Sequence, residues 1–266
     1  MRPPQLPWLF AVWMAASALT AVSAGLVLGI LAATQDGFGA SHWTEAVQAH
    51  GRLQLWAFAG VFIVTLSFEF LVRMNGRPMF PVPVRAGVPG GLLAGALLMA
   101  GAQVWNGPLG FLGPVGAAAL VAAAAVFAWE VCHVRPPPRL KLDPQPWFIW
   151  LGSVWLFLAA VATFALSLRW DGGVSLPVES HAVAEIFIHG FIIQVILAVA
   201  PRAMVGHLGL RRIDARQQII LLALVNGGLI TWLAGQDAGV LPGVSALVRL
   251  GNIALGGALL ALTWWL

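Results

Sequence analysis

The sequence predicts an all-α membrane protein, a polytopic bundle of about eight transmembrane helices built as two parallel four-helix repeats. The chain of 266 residues is 60% hydrophobic and only 9% charged, which leaves too little polar surface for a water-soluble fold. Apolar runs recur with the length of roughly 20 residues that a helix needs to cross a bilayer. A histidine-containing segment also recurs at an offset of 139 residues.

The apolar runs give the positions of the helices. They lie near 8–33, 47–72, 88–105, 110–134, 146–168, 181–204, 217–234 and 246–266. The first run is longer than the roughly 7 to 15 residues of a signal-peptide core, so we expect a retained helix. Cys132 is the only cysteine, which excludes a disulfide framework or a cysteine-ligated structural metal within one chain.

Basic residues concentrate in every other loop. They are Arg73, Arg77 and Arg85, then Arg135, Arg139 and Lys141, then Arg202, Arg211, Arg212 and Arg216. Loops rich in arginine and lysine stay in the cytoplasm, so both termini are predicted to be cytoplasmic. The net charge of +4 therefore reflects orientation in the lipid bilayer and does not indicate a nucleic-acid partner.

The recurring segment reads SHWTEAVQAHG at 41–51 and SHAVAEIFIHG at 180–190, with serine, two histidines and glycine at matching positions. Each copy opens the second span of a four-helix block. Because each block has an even number of spans, the two blocks would have the same orientation, related by an axis along the membrane normal. We expect one integral membrane domain made of repeats 1–139 and 140–266.

The second histidine of each copy is the leading candidate ligand. His50 and His189 fall inside apolar spans, where ionisable groups are usually paired or functional. Two imidazoles opposed across a bundle can hold one haem iron. His181, Glu185 and His189 follow one another at i, i+4 and i+8, and His50 shares a face with Gln54 by the same rule.

Haem would also bring two propionates, which need cations near the membrane surface. Arg52 and Arg249 lie at a similar predicted outer depth and could bind them through charge-assisted hydrogen bonds. The alternative is that these arginines extend to the headgroups. His42 and His181 have a similar alternative, hydrogen bonding to water or backbone at the headgroup level.

Two stretches resemble NnrS-like proteins and the wider group related to the haem-copper oxidase catalytic subunit. The matching residues are His50, Leu53, Gln54, Leu55, Phe58, Gly76, Arg77 and Pro78, then Arg202, Gly206, His207 and Gly209. The resemblance implies a multi-pass protein of the bacterial inner membrane that binds b-type haem and, in the family, copper. It also implies a role in binding nitric oxide or in the response to nitrosative stress.

The chain departs from this group in ways that bear on its reaction. NnrS-like proteins commonly have about twelve helices, so this chain is expected to be a short relative or a fragment. It has no tyrosine and no adjacent histidine pair, which excludes a complete oxygen-reducing terminal oxidase. An enzyme here would be another haem-dependent oxidoreductase.

Copper and His207 are separate questions. A copper site at His42, His181 and Glu185 is a weaker hypothesis than haem. His207 matches the family motif as a metal-ligand candidate in a basic loop. A straight helix would place it about 27 Å from His189, so the two cannot share a site.

Two other functions stay open. The chain could be a small-solute or ion transporter with parallel repeats, its histidines and Glu185 lining a pathway. It could also be a bis-histidine cytochrome that takes electrons from quinol, because two axial histidines suit electron transfer whereas nitric oxide needs an open iron position.

Overall fold

The computed structural model describes residues 7–34, 43–75, 80–105, 109–133, 144–169, 177–209, 213–237 and 244–265. All regular structure in these ranges is helical, which confirms the predicted all-α class. We number the helices α1 (7–34), α2 (43–75), α3 (Val82–Val104), α4 (Leu112–His133), α5 (Gln145–Arg169), α6 (177–208), α7 (Ala215–Asp237) and α8 (Val244–Trp265).

The helices have the dimensions of membrane spans. Within the described ranges, α1 to α7 are long and apolar enough to cross a bilayer, and α8 contains a shorter apolar helix over Val248–Thr263. The chain is therefore a multi-pass transmembrane helix bundle, as predicted. Helix α6 ends at Gly209, whose φ of 64° is the left-handed conformation that commonly terminates a helix.

In the part of the chain that the structure describes, three helices contain a π-helical turn. In α1 it spans Ala21–Gly25, in α2 Leu53–Gly60 and in α6 Ile186–Ile192. A π turn widens the helix locally and is frequent at functional sites. Two of the three adjoin or contain the histidines singled out by the sequence, since His50 precedes the α2 turn and His189 lies within the α6 turn.

The chain forms two compact units. The first comprises Met1–Val134 and Phe157–Ala184, and the second comprises Arg135–Leu156 and Glu185–Leu266. Helices α5 and α6 therefore each contribute residues to both units. The repeat boundary at 139/140 stays a prediction.

Each unit contains a helical hairpin closed by two glycines. In the first unit, a Cβ at Gly95 of α3 would lie 2.6 Å from the carbonyl oxygen of Gly116 in α4. In the second, a Cβ at Gly251 of α8 would lie 2.8 Å from the carbonyl oxygen of Gly228 in α7. Small residues let helix backbones approach closely in a membrane. The third and fourth helices of each predicted repeat therefore pack by the same device.

Candidate functional site

His50 is anchored to the neighbouring helix α1. Its Nδ1 lies 2.6 Å from the carbonyl oxygen of Gly25, the last residue of the α1 π turn. A carbonyl can only accept, so this hydrogen bond requires the proton on Nδ1. In the neutral imidazole, Nε2 then carries the lone pair, which is the state in which a histidine binds a metal.

Glycines of α1 make room for this contact. A Cβ at Gly29 would lie 2.9 Å from Cε1 of His50, and a Cβ at Gly25 would collide with the side-chain amide of Gln54. Gln54 also donates to the carbonyl oxygen of Ala21 at 3.4 Å. Two small residues four apart on α1 therefore face two polar residues four apart on α2, as the shared face of His50 and Gln54 predicted.

The sequence reasoning did not single out these glycines. Gly25 and Gly29 form a Gly-x-x-x-Gly pattern in an apolar helix, which is a known signal for close helix packing in membranes. That signal could have identified α1 as the partner of α2 and the support of His50.

His189 in the second unit has an acceptor on its own helix. Its Nδ1 lies 2.6 Å from Oε2 of Glu185, one turn earlier. Nδ1 has no hydrogen-bond partner among the described residues, so the contact with Glu185 is a close electrostatic approach. Both side chains are partly exposed. The predicted i, i+4 stripe does bring Glu185 and His189 together.

The same helix is tied to two others through Asn226. The Oδ1 atom of Asn226 in α7 accepts hydrogen bonds from Trp155 Nε1 in α5 and from Gln194 Nε2 in α6, each at 2.8 Å. Gly190 packs against Trp155, since an added Cβ would lie 2.7 Å from the Trp155 Cβ. Interhelical hydrogen bonds of this kind hold membrane helices together. Helix α6 is thus held through side chains, whereas α2 is held at a backbone carbonyl.

A cavity of about 310 Å³ lies within the first unit. Arg52 lines it from α2, and Ser180 and His181 line it from the start of α6. His50 is not among its lining residues. His50 and Arg52 are two residues apart on one helix, about 200° around its axis, and they face different surroundings. The role of Arg52 toward a haem propionate stays a prediction.

The remaining predicted ligands are distributed over the chain. Arg249 is exposed on α8. His207 lies in the last turn of α6, and its side chain lies outside the described part. His42 also lies outside the described residues. In the described ranges, no three histidine, cysteine, aspartate or glutamate side chains group closely enough to hold a metal ion.

Comparison with known proteins adds no relative. No protein-family model, curated protein or solved structure matches this chain.

Proposed function

We propose that this chain is a haem-binding protein of the bacterial inner membrane, similar in type to NnrS. The observation that supports this proposal is the orientation of two histidines within membrane helices. Each of His50 and His189 has Nδ1 at 2.6 Å from an oxygen atom. Metal-binding histidines almost always donate the second ring N–H to an oxygen atom, which orients the ring and raises the basicity of the ligand nitrogen. His50 makes this hydrogen bond, whereas His189 approaches Glu185 closely without one.

These residues fit haem better than copper. A haem iron needs only one or two protein ligands, and His50 and His189 are two candidates. A copper ion would need several protein ligands. Among the described residues, no group of three histidine, cysteine, aspartate or glutamate side chains could hold a metal ion. Copper at His42, His181 and Glu185 stays the weaker proposal, as does any metal at His207. His42 and the side chain of His207 lie outside the described residues.

The chain's own residues would divide the work of binding. His50 and His189 are each proposed to ligate haem iron through Nε2. The Gly25 carbonyl holds Nδ1 of His50, and Glu185 lies beside Nδ1 of His189. Arg52 and Arg249 are the proposed cations for the propionates. Bound haem would supply an iron able to take a small gas ligand such as nitric oxide if one axial position opens. The positive-inside pattern places both termini in the cytoplasm under this proposal.

An absorption spectrum of the purified protein tests the proposal. After expression with adequate haem, we expect a Soret band that the double variant His50→Ala with His189→Ala abolishes. The matched control is His133→Ala, because His133 is exposed and its Nδ1 contacts only the Trp129 carbonyl of its own helix at 2.7 Å. No Soret band in the unaltered protein would overturn haem binding. A band that survives the double change would overturn the ligand assignment.

Nitric oxide then separates the two haem functions. Addition of nitric oxide to the reduced protein should shift the Soret band if an axial position opens. An unchanged spectrum, with reduction by a quinol analogue, would favour the bis-histidine electron carrier instead.

A further inference from the structure

The cavity in the first unit has the size and walls of a ligand site. Its volume of about 310 Å³ lies at the lower end of the range for small-molecule pockets. It is formed by one face of α2, the last turns of α5 and the start of α6, all within a single compact unit. Because segments of three helices form the walls, the cavity exists only when these helices pack together.

The charge of the lining has one sign. Among the lining residues, Arg52 carries the only formal charge, and no carboxylate is present. Arg52 lies nine residues past the first residue of α2, about 14 Å along the helix axis, and therefore well inside the span. His181 and Ser180 add polar groups beside it, and Gln48 is held in the wall by Gln103 at 3.3 Å.

Apart from Thr163, the rest of the lining is apolar. Val47, Leu55 and Trp56 of α2 face Leu166 of α5 and Val183 of α6 across the cavity. Such walls favour a hydrocarbon or aromatic body, while the guanidinium of Arg52 favours a planar anion that can accept two parallel hydrogen bonds. The two requirements together describe an amphiphile with one carboxylate.

We propose that this cavity binds the carboxylate of an amphiphilic acid, with Arg52 as the anion-binding residue and the α2, α5 and α6 side chains around its apolar body. Two sources share this chemistry, a free alkanoic acid from the bilayer and a propionate of haem. The proposal does not depend on haem ligation, because it can be tested on haem-free protein.

Gly51 offers a direct way to fill the cavity. It lines the cavity, and no described atom lies within 4 Å of a Cβ built on it. Gly51→Ala should therefore be tolerated, whereas Gly51→Leu should project a bulky side chain into the space that the ligand would occupy. This pair separates blocked binding from failure to fold.

Equilibrium dialysis of radiolabelled octanoate against haem-free protein in detergent, with empty micelles as the blank, tests the proposal. We expect saturable binding that Arg52→Gln weakens by about tenfold, the usual value of a hydrogen bond to a charged group. Gly51→Leu should block binding. Arg216→Gln, at an exposed arginine outside the cavity lining, should bind like the unaltered protein, and Gly51→Ala should fold like it. Octanol, which lacks the charge, should not compete.

The remaining outcomes identify the source or reject the idea. If haem competes with octanoate, the carboxylate that Arg52 binds is a haem propionate. If haem does not compete, it is the carboxylate of a free alkanoic acid. Octanol competing as well as octanoate would overturn the proposal. Unchanged binding in Gly51→Leu or in Arg52→Gln would overturn it too. If the protein shows no Soret band but still binds octanoate, haem binding is wrong and the carboxylate site in the cavity stands.

Discussion

Helices α2 and α6 contain the second His-Gly pair of the repeated segment, His50-Gly51 and His189-Gly190, but these pairs meet different surroundings. His50 of α2 bonds to a backbone carbonyl of another helix, whereas His189 of α6 contacts a carboxylate of its own helix, both at 2.6 Å. The glycines that follow also differ, because Gly51 faces open space and Gly190 packs against Trp155. A repeated local sequence therefore does not imply repeated tertiary contacts.

The two anchors have different physical consequences. The carbonyl partner of His50 belongs to another helix, so this contact depends on the packing of α1 against α2. The carboxylate partner of His189 belongs to the same helix, so this contact depends on the charge of Glu185. We therefore expect changes in packing to affect His50 most and changes in charge to affect His189 most.

The largest expected difference lies between the two equivalent glycines. Gly190→Ala places a Cβ 2.7 Å from the Trp155 Cβ, and overpacking of this kind costs about 1 to 3 kcal/mol. Gly51→Ala meets no described atom within 4 Å and should be neutral or stabilise the helix by up to about 1 kcal/mol. The free energy of unfolding, measured by circular dichroism during denaturant titration in mixed micelles, distinguishes them. Equal effects of the two substitutions would contradict the different surroundings.

The next effect concerns the supports of the two histidines. Gly29→Ala should displace the His50 ring, because its Cβ would lie 2.9 Å from Cε1. Glu185→Gln should keep the size of the side chain beside His189 but remove its charge. Loss of such a supporting contact typically costs about tenfold or more in metal affinity.

Haem titration followed at the Soret band measures both changes. We expect Gly29→Ala and Glu185→Gln each to weaken haem binding by about tenfold or more. Gly87→Ala is the control for the glycine, because no described atom lies within 4 Å of its Cβ. If Gly29→Ala binds haem as the control does, the carbonyl anchor of His50 has no role in haem binding.

The sequence predicted the helices well because hydropathy and span length depend on local composition. It also predicted the contact between Glu185 and His189, since i, i+4 neighbours meet on any helix. The i, i+4 spacing could not predict the hydrogen-bond partner of His50, because Gly25 belongs to a different helix. The cavity was likewise not predicted, since it needs residues from three helices.

The smallest effect concerns the hydrogen bonds that fix α6 through side chains. Asn226→Leu removes the acceptor of Trp155 and Gln194, and interhelical hydrogen bonds in membranes contribute about 0.6 kcal/mol each. We expect a loss of about 1 kcal/mol in the free energy of unfolding, while Asn252→Leu, at an exposed position of α8, should have no effect.

Trp155 and Gln194 anchor the side of α6 that carries Gly190, so Asn226→Leu should also reduce the cost of Gly190→Ala when the two are combined. Strict additivity in that double variant would show that the Asn226 cluster and the Gly190 contact act independently, and that α6 is held at two separate points.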